Sequence, residues 1–281
     1  HFMIVVYNKL TQCFSSIFYA FGGVFFLNSF HTFPQSHTNF ITFEIQFCPM
    51  KFICFVFLFF PILVMGQTAF EKGERYYNSE KYELAKLQLE IFIQQNPNDL
   101  KTLEYLGDIQ CQFKQWEKAV PYYLKLTKLK PSEANYFYKY GGALGMQAKE
   151  SNKFKALSLI DDVKSAFEKA IALSPNHIGA RWALLEIYIQ LPGIVGGSEK
   201  KAFKYANELL IISPVDGYLA KGHIEEYFNR YIHAEKNYKK AIEIGNSITT
   251  YKKLAHLYQY KMKQPEKAKQ LLASFNEKNK S

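Results

Sequence analysis

Residues 100–131, LKTLEYLGDIQCQFKQWEKAVPYYLKLTKLKP, constrain what this chain can fold into more than any other stretch. Helical spacing is kept twice in succession, first by Leu103, Leu106, Gly107 and Gln110, then by Ala119, Tyr123 and Leu126. Lys114 and Gln115 fall between the two runs and read as a turn, and Pro131 stops the second helix. Small residues (Gly107, Ala119) stand where two helices must approach closely. Large ones (Leu103, Leu106, Trp116, Tyr123) stand where the gap must be filled. Pro97 and Pro131 are 34 residues apart, so the helix pair is a repeating unit with a 34-residue period.

The rest of the chain from Gln67 lines up on that unit. The first pair carries Gly73, Tyr76, Ala85, Leu89 and Phe92, with its turn at Asn78-Ser79 and its second helix over Lys81 to Gln95. The third is expanded. Pro131 and Pro175 are 44 residues apart, and the extra residues, around Lys149 to Ser158, are expected to lengthen both helices or widen their connection. In the fourth, Pro175 to Pro214 spans 39 residues, and the excess forms a turn from Leu191 to Ala202. There Pro192-Gly193 ends a helix, Gly196-Gly197 allow backbone angles closed to other residues, and Ser198 is placed to cap the next helix. This turn joins two helices and lacks the GxxxxGK[ST] spacing, so it reads as structural or as a partner contact instead of a phosphate loop. The fifth unit holds Gly222, Ala234, Tyr238 and Ala241; the sixth holds Tyr251, Leu254, Ala255, Ala268 and Leu272. The units run over about 67–99, 100–133, 134–175, 176–214, 215–247 and 248–276.

This placing of small and large residues resembles the tetratricopeptide repeat. The resemblance implies an all-α, right-handed superhelical solenoid of about six antiparallel helix pairs, in which each pair shares its core with its neighbours. It also implies that the first helix of each pair lines a concave face. The inward-facing residues are then expected to include Tyr77, Asp108, Gln112, Tyr138, Tyr188, His223, Glu226 and Tyr227. Four of them, Tyr77, Tyr138, Tyr188 and Tyr227, suggest a ladder for a bound peptide, since tyrosine gives contact area at small entropic cost. Members that grip a peptide carboxylate offer Lys, Arg and Asn at matched positions. Asp108 and Gln112 depart from that pattern and weaken the analogy. The LPG, GG, Ser, Lys-Lys-Ala order of the fourth unit's turn resembles a sequence recurrent in a bacterial subgroup of these proteins.

The composition divides at Gln67. The first 66 residues hold 16 of the 25 phenylalanines and three charged groups, Lys9, Glu44 and Lys51. Residues 50–66, MKFICFVFLFFPILVMG, have a positive start, an apolar run from Phe52 to Met65 too short to span a bilayer comfortably, and small or moderate residues before Gln67. They resemble the signal peptides of exported Bacteroidetes proteins. Residues 1–49 begin with His1 and contain no repeat. They are expected to be an upstream extension of the true start at Met50. The competing reading is a membrane segment at Phe14 to Phe30, which would anchor the chain. The expected location is therefore the periplasm or envelope, with membrane attachment only if the N-terminal segment is retained.

From Gln67 onward there are 33 basic and 24 acidic residues, nearly all the bases being lysines spread at helical spacing. That is a solvated face and not the clustered stripe of a nucleic-acid site. Cys111 is the one cysteine past residue 66, which leaves no disulfide framework or cysteine zinc site there. His223 and Glu226 share a helix face, and with His256 they make a conceivable two-histidine, one-carboxylate metal set. No HExxH, G-x-S-x-G or Cys-His arrangement accompanies them. The sequence therefore predicts a non-enzymatic protein- or peptide-binding scaffold without cofactor. The alternative is a solute-binding or accessory enzymatic role using a pocket at the expanded third and fourth units, near Met146, Tyr188 and His223.

Overall fold

The first helix of nearly every pair begins at a side chain able to cap it, whereas three of the second helices begin at an uncapped residue that follows a left-handed turn. This alternation sets the architecture. The computed structural model describes residues 68–278, within a unit bounded by Met65 and Ser281. Among the described residues, twelve α-helices form six successive antiparallel pairs. These are α1 (Ala69–Asn78) with α2 (Tyr82–Gln95), α3 (Leu100–Gln112) with α4 (Trp116–Leu129), and α5 (Ala134–Glu150) with α6 (Lys153–Leu173). They continue as α7 (Ile178–Gln190) with α8 (Glu199–Ile212), α9 (Pro214–Tyr227) with α10 (Tyr231–Gly245), and α11 (Ile248–His256) with α12 (Pro265–Lys278). A π-helical turn, Leu257–Lys261, extends α11. The all-α solenoid of paired helices expected from the sequence is what the chain forms.

Thr68 caps α1 in a reciprocal box with Glu71, Asp99 caps α3 through the Thr102 N–H at 2.8 Å, and Ser247 caps α11. Within the regular pairs the chain turns through one non-glycine residue at positive φ: Glu80 (58°), Lys114 (55°), Asn229 (60°) and Lys263 (56°). In the first, second and fifth pairs the next N–H bonds five residues back, Gln115 N to Gln110 O at 2.8 Å being one case. This is the left-handed helix ending that usually recruits glycine. The 34-residue unit also contains Pro121 inside α4, on its exposed side, where a main-chain hydrogen bond is forgone.

The third pair's extra residues lengthen its helices. α5 has 17 residues and α6 has 21, and Ser151-Asn152 alone connect them, with Asn152 accepting the Lys155 N–H at 3.0 Å. In the fourth pair Ser198 caps α8. The two glycines before it act differently. Gly196 takes a φ of 92°, while Gly197 is needed for space, since a Cβ there would lie 1.8 Å from the Leu191 carbonyl oxygen. Pro214 opens α9, and Ser213 ends α8 and caps α9 at once.

The close-packing positions behave as their sizes dictate. Leu106, Ala119 and Leu126 are fully buried, and the Tyr123 ring lies against Gly107. No described helix is long and apolar enough to cross a membrane. Residues 50–66, expected to be a signal peptide, and the segment Phe14 to Phe30, the competing membrane reading, lie outside the described residues.

Candidate functional site

The first helices of the pairs stand side by side, and their polar side chains join into a ladder. Tyr105 Oη donates to Glu74 Oε1 at 2.9 Å, and Tyr77 Oη donates to Asp108 Oδ2 at 3.2 Å. Lys139 Nζ donates to both Asp108 oxygens, at 2.8 and 2.7 Å, and lies 2.7 Å from Glu104. Each of the Tyr105–Glu74, Tyr77–Asp108 and Lys139–Asp108 links spans 31 residues, one repeat less about one helical turn. Further along, Trp182 Nε1 donates to Asp216 at 2.9 Å, His223 Nε2 meets Glu186 at 2.7 Å, and His256 Nδ1 lies 3.4 Å from Glu226.

Two tyrosines reach this face from the second helices. A glycine in the facing helix makes room for each ring: Gly107 for Tyr123, Gly222 for Tyr238. The Tyr123 hydroxyl donates to Asp108 at 2.6 Å and the Tyr238 hydroxyl to Glu226 at 2.7 Å. Burial, and then the adjacent carboxylate's charge, hold both phenols far above their ordinary pKa. Burial opposes the Lys139 ammonium, but its hydrogen bonds to Asp108 and Glu104 outweigh that and leave its pKa above the usual lysine value. The hydrogen bond from His223 holds the Glu186 carboxyl below its ordinary range.

Of the eight residues read from sequence as inward-facing, Tyr77, Asp108, His223 and Glu226 are rungs of this ladder. Gln112 and Tyr227 are exposed. Tyr138 bridges the third and fourth pairs, its ring 4.8 Å from His177 and 5.8 Å from Phe167. Tyr188 is 4% exposed and stacks on Tyr205 at 5.9 Å, so its ring serves the helix pair and offers no rung to a ligand. α7, IGARWALLEIYIQ, is apolar on most sides and gave sequence little to orient it. His223 turns to Glu186, while Glu226 meets Tyr238 and His256, and among the described residues no group of three or more His, Cys, Asp or Glu is arranged to hold a metal. His177 caps α7 by accepting the Ala180 N–H on Nδ1 at 3.1 Å. Cys111 is partly buried beside Tyr123 Oη, and burial raises its thiol pKa.

Between the polar clusters the inner face is bare. Gly142 shares a face of α5 with Tyr138 and Lys139. A Cβ at Gly142 would meet nothing within 4 Å, and one at Gly145 would meet Val163 alone, at 3.5 Å. Below Gly145 lies a cavity of about 220 Å³ walled by Ala148, Ala156, Ile160, Val163, Ile187 and Leu191. It is lined by neither Met146, Tyr188 nor His223, where the sequence placed a pocket.

No protein-family model matches the chain. A mouse protein O-mannosyl-transferase, TMTC3, is 24% identical over 173 residues, which is 58% of this chain, and the chain spans only 18% of that protein's length. Among solved structures, a thermophilic tetratricopeptide-repeat protein of Thermus thermophilus superposes with a TM-score of 0.53 at 17% identity, covering 69% of this chain and 98% of that one. A tetratricopeptide-repeat protein of Parabacteroides merdae gives 0.55 at 17% identity, covering 74% and 79%. The chain thus has the all-α fold of the tetratricopeptide-repeat proteins.

Proposed function

We propose that this chain is a non-enzymatic scaffold that binds a protein or peptide along the inner face of its first helices, and that it works in the bacterial envelope after export through residues 50–66. The observation that carries the reading is the bare stretch at Gly142 and Gly145, with the polar cluster of Glu104, Asp108 and Lys139 on one side and the Glu186–His223 pair on the other. A backbone can approach a helix closely where no Cβ intervenes. The flanking polar groups are already fixed by one another, so a ligand meets an ordered surface and little side-chain entropy is lost on binding. Gln112 and Tyr227 supply exposed polar and aromatic contacts towards the two ends. The histidines and carboxylates of the ladder bond across neighbouring helices, which suits a structural role better than proton transfer.

A solute pocket in the third and fourth units is the weaker reading. The cavity that the two units share, about 220 Å³, falls below the ~300–1,000 Å³ of small-molecule sites.

Gly142→Trp tests the groove. The new ring has open space at its root, so the fold should persist in circular dichroism while the inner face is blocked. Affinity capture from envelope extract, read by mass spectrometry, should return a partner with the native protein and lose it with the variant. Identical captures from the two would sink the groove reading.

A further inference from the structure

We propose that the cavity at the junction of the third and fourth pairs receives one bulky apolar side chain from an acidic segment of the partner. The proposal rests on the peptide-binding reading above and adds the chemistry that is recognised. The cavity is built by the third unit's insertion. Its walls include Lys149 at the end of α5 and Ala156 near the start of α6, both within the extra residues, and the last turn of α7 closes it. Small residues at Gly145, Ala148 and Ala156 leave the space, and Ile160, Val163, Ile187 and Leu191 make it apolar. At about 220 Å³ it has room for a single side chain.

Charge decides what flanks that side chain. Lys149 is the charged group of the lining, with Gln190 as its amide. Neither Lys149 nor Lys153, the first residue of α6, has an ion-pair or hydrogen-bond partner among the described residues. Glu150 lines a separate cavity with Trp116 and Lys155, and the Asp161 carboxylate lies 3.8 Å from Lys164. An apolar residue set between carboxylates therefore fits: the side chain enters the cavity and the carboxylates meet Lys149 and Lys153.

The test is fluorescence anisotropy of the full chain with short labelled peptides, glutamate-rich, whose central residue is Leu, Phe, Ala or Lys. Leu and Phe centres should bind about tenfold to a hundredfold more tightly than Ala, as burial of one such side chain predicts. Lysine-rich counterparts should bind more weakly, and Lys149→Glu should narrow that difference. Gly145→Leu fills the cavity from α5 and should abolish the preference with an unchanged thermal melt. Ala156→Met fills it from α6 and serves if the first variant fails to fold. Equal affinity for all centres, or a preference that survives both filled variants, would overturn the proposal. So would binding of a labelled fatty acid without any peptide preference, or a concentration-dependent dimer abolished by Gly145→Leu. If Gly142→Trp loses the captured partner while Gly145→Leu retains it, the cavity reading fails and the groove reading stands. If the peptide preference appears but capture ignores Gly142→Trp, the groove reading alone fails.

Discussion

Replacing Gly107 by alanine should destabilise this protein, although alanine is the better helix former. A Cβ at Gly107 would lie 2.7, 2.9 and 3.1 Å from three carbons of the Tyr123 ring. That ring is 2% exposed and cannot slide away cheaply, because its hydroxyl donates to Asp108 at 2.6 Å. If the ring stays, overpacking costs roughly 1–3 kcal/mol. If it retreats, a hydrogen bond to a charged group is lost, worth about 1.5–3 kcal/mol. Against either stands a gain of about 1 kcal/mol from removing a mid-helix glycine. The net loss is then up to about 2 kcal/mol, which lowers the melting midpoint by up to roughly 8 °C for a chain of this size. Gly107→Leu exceeds this and should unfold the centre, as should Ala119→Leu. The decisive measurement is a cycle with Tyr123→Leu, followed by circular dichroism melts. With the ring gone, Gly107→Ala should stabilise by up to about 1 kcal/mol, so the sign reverses between backgrounds. A rise in midpoint for Gly107→Ala in the native background would refute the packing argument. The same logic ranks Gly222→Ala as more harmful, since its Cβ would lie 2.4 Å from Tyr238.

Three further outcomes are expected. Lys139→Met leaves Asp108 and Glu104 without their shared ammonium and should cost about 2–3 kcal/mol in urea denaturation, part of which Asp108→Asn restores. Lys114→Gly relieves a side chain held at a φ of 55° and should stabilise by about 1 kcal/mol in the same assay. Burial holds the His177 imidazole below its ordinary 6.5, so as pH falls the unfolded chain takes the proton first. Stability from this group is whole above 6.5 and is lost as pH falls below it towards the folded pKa, because protonated Nδ1 cannot accept the Ala180 N–H. His177→Asn keeps the cap and should flatten the melting midpoint over that window.

The helix pairs were legible because each needs its small and large residues at fixed spacing, and Gly107, Ala119, Leu106 and Tyr123 show that spacing openly. The destination of the third unit's extra residues was not, since Lys149 to Ser158 suits either helix or loop; the Asn152 cap places the break within them. Pro121 leaves no mark in the sequence pattern, because the period around it is intact. The ladder is hard to see within any one repeat because its links join different repeats. Its signal was nevertheless present: Glu74, Tyr77 and Asp108 each have a hydrogen-bonding group 31 residues on, in Tyr105, Asp108 and Lys139. The burial of Tyr188 against Tyr205 has no clear signal in the sequence, because little polar surface on α7 marks which side faces inward.

The ladder is interrupted once. Among the described residues, no ion pair or side-chain hydrogen bond passes from α5 and α6 to α7 and α8. The two pairs meet instead through Leu144, Val163, Phe167, Leu184 and Leu185, with Tyr138 against His177 and the Lys164 ammonium 5.7 Å from the Tyr188 ring centre. Hydrogen bonds weaken sharply when their angle changes, whereas apolar contact carries no direction. The junction of the third and fourth pairs is therefore held by close packing with no polar rung across it, beneath the open space at Gly142. Added salt, which screens the ion pairs on either side, should leave that junction as it was.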